Sequence, residues 1–128
     1  MNEELLNSHI QKHLRRLDCL IGAESMTIGH LLKNRILHDS SGVYAILVPD
    51  DSEVIYVGRT KTKGVAGRIA DHRSINTPSD LRGMLKNNPQ LPQQIDEYRV
   101  RYVPIEESRD RLFFEMFAIG CLRPRLNK

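Results

Sequence analysis

Two runs rich in β-branched and aromatic residues, Val43–Val48 and Val54–Val57, stand on either side of Pro49-Asp50-Asp51-Ser52. Such runs suit a pleated, half-buried surface, and Pro, Asp and Ser supply the fixed φ and the local side-chain hydrogen bonds that reverse a chain. The arrangement predicts a β-hairpin and commits the middle of the chain to an antiparallel pair. It also sets Tyr44 and Tyr56 on neighbouring strands.

The flanking segments read with helical period. Leu5, Leu6, Ile10, His13, Leu14, Leu17, Leu20 and Ile21 recur at three- and four-residue steps, which predicts an amphipathic helix over 3–20. A second helix, with Thr27 as its cap, is expected to run to about Leu37 on Ile28, Leu31, Leu32 and Ile36. After Gly64, Val65, Ala66, Ile69 and Ala70 form a small apolar stripe on a helix reaching about Ile75, with Arg68 and His72 beside it. The stretch 76–94 carries Pro78, Pro89 and Pro92 and is expected to be loops around a short helix, Asp80 to Lys86. A third strand fits Tyr98 to Pro104, and a last helix fits Ser108 to Cys121, stopped by Gly120 and Pro124.

This order suits an α+β domain, a small three-stranded antiparallel sheet flanked by helices. Residues 1–40 read as an N-terminal helical extension and 41–128 as the domain proper, together one compact unit. The extension's apolar face is expected to cover the sheet; an arm for dimerisation or for gripping DNA is the functional alternative. A chain of 128 residues, 40% of them hydrophobic, can bury an ordinary core.

A net charge of +3 is too small for a polycation that coats nucleic acid by bulk attraction. Placement is more informative than the sum. Arg59, Lys61, Lys63, Arg68 and Arg73 face a single acid, Asp71, between positions 59 and 73, and Arg123, Arg125 and Lys128 follow in the tail. Cys19 and Cys121 are too few and too far apart for a disulfide framework or a thiolate metal site, so buried, reduced thiols are expected. The chain opens on Glu3 and Glu4 and has no apolar run of membrane-spanning length, which points to a cytoplasmic protein with no membrane partner.

Glu115 lies inside the apolar segment Leu112–Ile119, where an unpaired carboxylate near the core would cost several kcal/mol, so it needs a cation. A helix-surface pair with Arg111 is the plainer reading of the same residue. Arg68 presents a fork matched to phosphate oxygens, and the plainer reading pairs it with Asp71. His72, four residues on, can reach the same group and exchange a proton near neutral pH. Tyr44 and Tyr56, taken alone, would be ordinary strand packing.

Read together, Gly42-Val43-Tyr44 and Tyr56-Val57-Gly58, followed in order by Arg68, His72, Glu115 and Asn127, resemble the GIY-YIG nuclease superfamily, with Val for each central Ile. The resemblance covers Ser41 to Lys128. It implies a GIY-YIG-like fold and a divalent-metal-dependent DNA endonuclease that hydrolyses phosphodiester bonds by water attack. In that reading Glu115 holds one Mg²⁺ or Mn²⁺ ion, the tyrosines order and deprotonate the water with His72 as competing base, and Arg68 stabilises the transition state. Arg59, Lys61, Lys63 and Arg73 are then the DNA contacts, and Gly42, Gly58 and Asn127 support the site. No second carboxylate falls in register for a paired-ion site, and no organic cofactor is implied. DNA is the implied partner, and cutting both strands from one site would call for a homodimer or repeated encounters. A restriction-type, phage or mobile-element nuclease is the context this suggests. Two other readings are an inactive nucleic-acid-binding module and an assembly protein acting through its N-terminal helices.

Overall fold

The computed structural model describes residues 2–127. Asn2 caps the first helix, α1 (Glu3–Gly22), by accepting from the Glu4 and Leu5 amides, and the acidic first turn suits the positive end of the helix dipole. Side chains 3–11 of α1 are all exposed, whereas Leu17 and Leu20 are buried. The extension is thus anchored by its second half, on Phe114, Ala118 and Val103 of the core.

A strand too short to be read from sequence follows: β1 (Met26–Thr27) pairs antiparallel with residues 99–100 of the last strand in chain order. Thr27 then caps α2 (Ile28–Lys33), its hydroxyl accepting from the His30 amide. The expected continuation to Leu37 fails because the chain turns. The Asn34 side chain donates to the His30 carbonyl, and Arg35 (φ 50°) and Leu37 (φ 62°) take left-handed conformations.

The hairpin forms as read, from β2 (Gly42–Leu47) and β3 (Val54–Arg59), the second running two residues further than expected. Then come α3 (Val65–Ser74), α4 (Leu81–Lys86), a 3₁₀ turn (Ile95–Glu97), β4 (Arg99–Pro104) and α5 (Ser108–Leu122). Gly120 does not stop α5; Arg123, with φ 49°, takes the left-handed position that ends it. The strand order is β1-β4-β2-β3, antiparallel throughout, so the sheet has four strands where three were expected.

Central β2 is buried along its whole length and divides the core. Tyr44 and Ile46 face the side covered by α2, α3 and α4; Val43, Ala45 and Leu47 face the side covered by α1 and α5. Strand β3 lies at the sheet's edge, and α5 packs along it, which brings α5 side chains to the open edge beside Tyr56. Cys19 and Cys121 are exposed, not buried as expected, because each lies on the outer surface of its helix. Among the described residues no helix is long and apolar enough to cross a membrane.

Candidate active site

Tyr44 lies directly across from Gly58 on β3, so Tyr56, two residues before Gly58, is Tyr44's diagonal neighbour on the same face. Their ring centroids are 6.4 Å apart. A Cβ on Gly58 would run into the Tyr44 hydroxyl, and one on Gly42 into the Val103 carbonyl; both motif glycines are therefore required by close approach.

Beneath the two phenols α3 presents Arg68 and His72. The His72 ring stands edge-on to both tyrosines and is fully buried. Its two nitrogens are committed: the Leu81 backbone N–H reaches Nδ1 at 2.9 Å, and the Tyr44 hydroxyl lies 2.8 Å from Nε2. A backbone N–H can only donate, so Nδ1 is the acceptor, and the neutral ring carries its proton on Nε2 and donates it to Tyr44. Burial, with the Arg68 charge adding to it, lowers the His72 pKa to about 3, so the ring is neutral at ordinary pH. His72 has no free lone pair with which to take a proton from water.

The same shift dictates an acid limb in stability. The unfolded histidine titrates near 6.5 and the folded one near 3, so the unfolded chain takes up the proton first as pH falls. Stability is full above about 6.5 and declines toward about 3. Urea unfolding across that window should show this decline in the wild type and a much flatter curve for His72→Gln; parallel curves would contradict the buried, neutral assignment.

Glu115 reaches the cleft from α5, and its carboxylate accepts from Arg59 Nη1 at 3.2 Å, not from Arg111. Burial pushes its pKa up, opposed by the charges of Arg59 and Lys61. Tyr44 and Tyr56 are both pushed above the ordinary phenol value, chiefly by burial, with Arg68 opposing the rise. Tyr44, Tyr56, Arg59, Lys61, Lys63, Arg68 and Glu115 thereby share one cleft of about 400 Å³, with Asp71 on its wall.

No protein-family model and no curated protein matches the sequence. Solved structures do match. The N-terminal GIY-YIG endonuclease domain of UvrC from Thermotoga maritima, bound to magnesium as its catalytic divalent cation, aligns with a TM-score of 0.52 at 17% identity, over 76% of this chain and 96% of that one. A point mutant of that domain, bound to its catalytic divalent cation, gives a TM-score of 0.52 at 17% identity, over 76% and 94%. This chain has the GIY-YIG fold.

Within the GIY-YIG frame the basic cluster divides. Lys63 pairs with Asp71 at 2.8 Å and Arg68 with Asp80 at 2.6 Å, so Asp71, the plainer partner expected for Arg68, serves Lys63. Lys61 forms no ion pair among the described residues. Arg73, expected among the DNA contacts, does not line the cleft and donates to Asp96 at 3.0 Å. It follows His72 by one residue, about 100° further round α3, which turns it away from the buried face that His72 occupies and leaves it exposed.

Asn127 completes the edge. Its Oδ1 accepts from the Val57 amide and its Nδ2 donates to the Val57 carbonyl, each at 2.8 Å, while the Leu126 amide donates to Ile55 at 2.9 Å. The tail thus satisfies backbone groups of edge strand β3 that would otherwise be open. Asn127→Ala should destabilise the fold by about 1–3 kcal/mol, read by urea unfolding, because it strips both partners from Val57.

Two charged side chains near the cleft were not singled out as site residues from the sequence. Arg111 is buried and donates to the carbonyls of Thr60, Ile105 and Glu106 at 3.2, 3.0 and 2.6 Å, fixing the chain just after β3. Its register with Phe114 and Ala118, i, i+3 and i+7 on one face, was the signal available. Asp80 is the other; its local sequence marks it only as the start of a short helix, and its partner Arg68 lies twelve residues away.

Among the described residues no group of three or more His, Cys, Asp or Glu side chains converges as a metal cage. The donor set at the cleft is the Glu115 carboxylate with phenol oxygens nearby, the second carboxylate of the lining, Asp71, being held by Lys63. That fits a hard divalent ion such as Mg²⁺, which keeps most of its water and needs few protein ligands.

Proposed function

We propose that this protein is a divalent-metal-dependent endonuclease that hydrolyses phosphodiester bonds in DNA by attack of water on phosphorus. The observation that carries the reading is the convergence of Tyr44, Tyr56, Arg68 and Glu115 from four separate elements on one cleft. The solved GIY-YIG endonuclease domains of the same fold, bound to catalytic divalent cations, support it.

Each residue has a chemical task. Tyr44 orders the attacking water and accepts its proton, the phenolate being favoured by the His72 Nε2–H and by the Arg68 charge. His72 is thus a donor to Tyr44, and the neutral, doubly bonded ring disfavours it as the base. Tyr56, beside Arg68, orders the water or a phosphate oxygen. Arg68 balances charge on the transition state, and Arg59, Lys61 and Lys63 draw the DNA backbone to the cleft. Glu115 is the residue that would hold Mg²⁺ or Mn²⁺, which supplies positive charge to the phosphate and departing oxygen when bound.

The test is incubation of supercoiled plasmid with the purified protein and Mg²⁺, beside Glu115→Ala from the same preparation. Nicked or linear product from the wild type alone, abolished by a chelator, is the expected result. Product from both proteins would trace cleavage to a contaminant, and no product across plasmid, branched and single-stranded DNA would refute the activity. A site of this kind cuts one strand per visit, so linear product formed without a nicked intermediate would require a homodimer.

A further inference from the structure

Asp80 is the one buried carboxylate among the described residues, at 5% exposure, and the motif that frames the site gives it no role. It occupies the N-cap of α4, a position where Asp ordinarily accepts from the first amides of the helix and contributes about 1 kcal/mol. Here the side chain makes no capping bond. It turns instead toward α3, accepting from Arg68 Nη1 at 2.6 Å and from the Thr77 hydroxyl at 2.6 Å. Arg68 Nη2 also donates to the Ser79 carbonyl, and the Leu81 amide donates to His72 Nδ1. One short stretch of chain therefore grips both of the α3 side chains that lie beneath the phenols.

We propose that Asp80 is a positioning residue for this centre. Its carboxylate aims the Arg68 guanidinium between the cleft and the two tyrosine rings, and the amide next to it fixes the tautomer of His72 that donates to Tyr44. This rests on reading the cleft as a phosphodiester-cleaving site. Several features support purpose over simple stability: the forgone cap, a charge buried where a neutral cap would serve, and two polar α3 side chains held by consecutive residues. Burial works to raise the Asp80 pKa, but the hydrogen bonds from Arg68 and Thr77 outweigh it and keep the carboxylate ionised. A guanidinium has five N–H donors, so two committed to Asp80 and Ser79 leave others for a phosphate.

The experiment compares Asp80→Ala, Asp80→Asn, Arg68→Ala and the double variant Asp80→Ala/Arg68→Ala in single-site cleavage kinetics. Asp80→Ala should lower kcat roughly 10- to 100-fold, the usual range for loss of a supporting partner, with KM for DNA within about threefold. Asp80→Asn keeps an acceptor in place and should recover part of that loss. The double variant should be no slower than Arg68→Ala, because Asp80 acts through Arg68. Additive losses, or a loss confined to KM, would overturn the proposal.

A readout independent of cleavage is ¹⁵N NMR of the Arg68 guanidinium and the His72 ring. In the wild type, Arg68 should give resolved, slowly exchanging side-chain signals and His72 the Nε2–H pattern. Asp80→Ala, or Asp80→Asn if the alanine variant does not fold, should broaden or merge the Arg68 signals. Unchanged signals would refute the positioning role, whatever the activity. A wild type that cleaves nothing yet shows this NMR response would instead refute the nuclease reading.

Discussion

Glu115→Gln should lower cleavage at saturating Mg²⁺ on the order of 10³-fold, the rate equivalent of the several kcal/mol of charge stabilisation that a bound divalent ion supplies. The substitution keeps the shape and removes the charge, so the fold should survive. It should even gain stability at neutral pH. Burial raises the folded pKa of Glu115 above its unfolded value, so the folded state holds the proton more tightly and stability falls as pH rises through that raised pKa. A Gln, always neutral, escapes that penalty, while Arg59, about a quarter of its side chain exposed, can return to water. Activity falling while the urea midpoint rises is the signature of a residue kept for chemistry at the expense of the fold. Cleavage at the wild-type rate with the same Mg²⁺ dependence would remove Glu115 from the centre, and a large drop in midpoint would recast it as a structural ion-pair partner of Arg59.

The hairpin and the helices were legible because their signals are local. Val43–Val48 and Val54–Val57 carry strand composition, Pro49–Ser52 carries turn chemistry, and the segments 3–20 and 65–75 repeat at helical spacing. The pairing of Tyr44 with Gly58 follows from the hairpin register, so the two tyrosines on one face were within reach of sequence reasoning. What escaped it was decided by distant partners. Two-residue β1 exists because β4 offers it an edge; α2 stops early because the chain must turn back toward β2. Arg73 and Lys63 looked alike as members of one basic run, yet Asp96 takes one and Asp71 keeps the other beside the cleft. Arg111 and Glu115 are one helical turn apart, but the first turns inward to three carbonyls and the second to the sheet's open edge. Composition set the expectation of buried thiols, and the outer faces of α1 and α5 overruled it.

Tyr44→Phe should reduce kcat by about 10²- to 10⁴-fold, the span typical of losing a general base, although it deletes a single oxygen. Among the described residues that oxygen is the only acceptor for His72 Nε2–H, so the variant should also lose about 1–3 kcal/mol of stability from a buried donor left unpaired. The pH profile separates the candidate bases. Burial holds Tyr44 above the ordinary phenol range, so only a small fraction is phenolate at neutral pH; Arg68, the His72 donor and any further positive charge entering the cleft enlarge that fraction. The rate should therefore climb with pH through and beyond neutrality, with a slope near one in log kcat/KM and no break close to 6.5. A histidine base would give such a break, but His72, titrating near 3 with both nitrogens committed, cannot supply it. His72→Gln, which can still offer an N–H to the phenol, should keep the shape of the profile at reduced amplitude, whereas Tyr44→Phe should flatten it. A wild-type break near 6.5 that vanishes in His72→Gln and persists in Tyr44→Phe would transfer the base from the phenol to the imidazole, and with it overturn the tautomer inferred from the Leu81 amide.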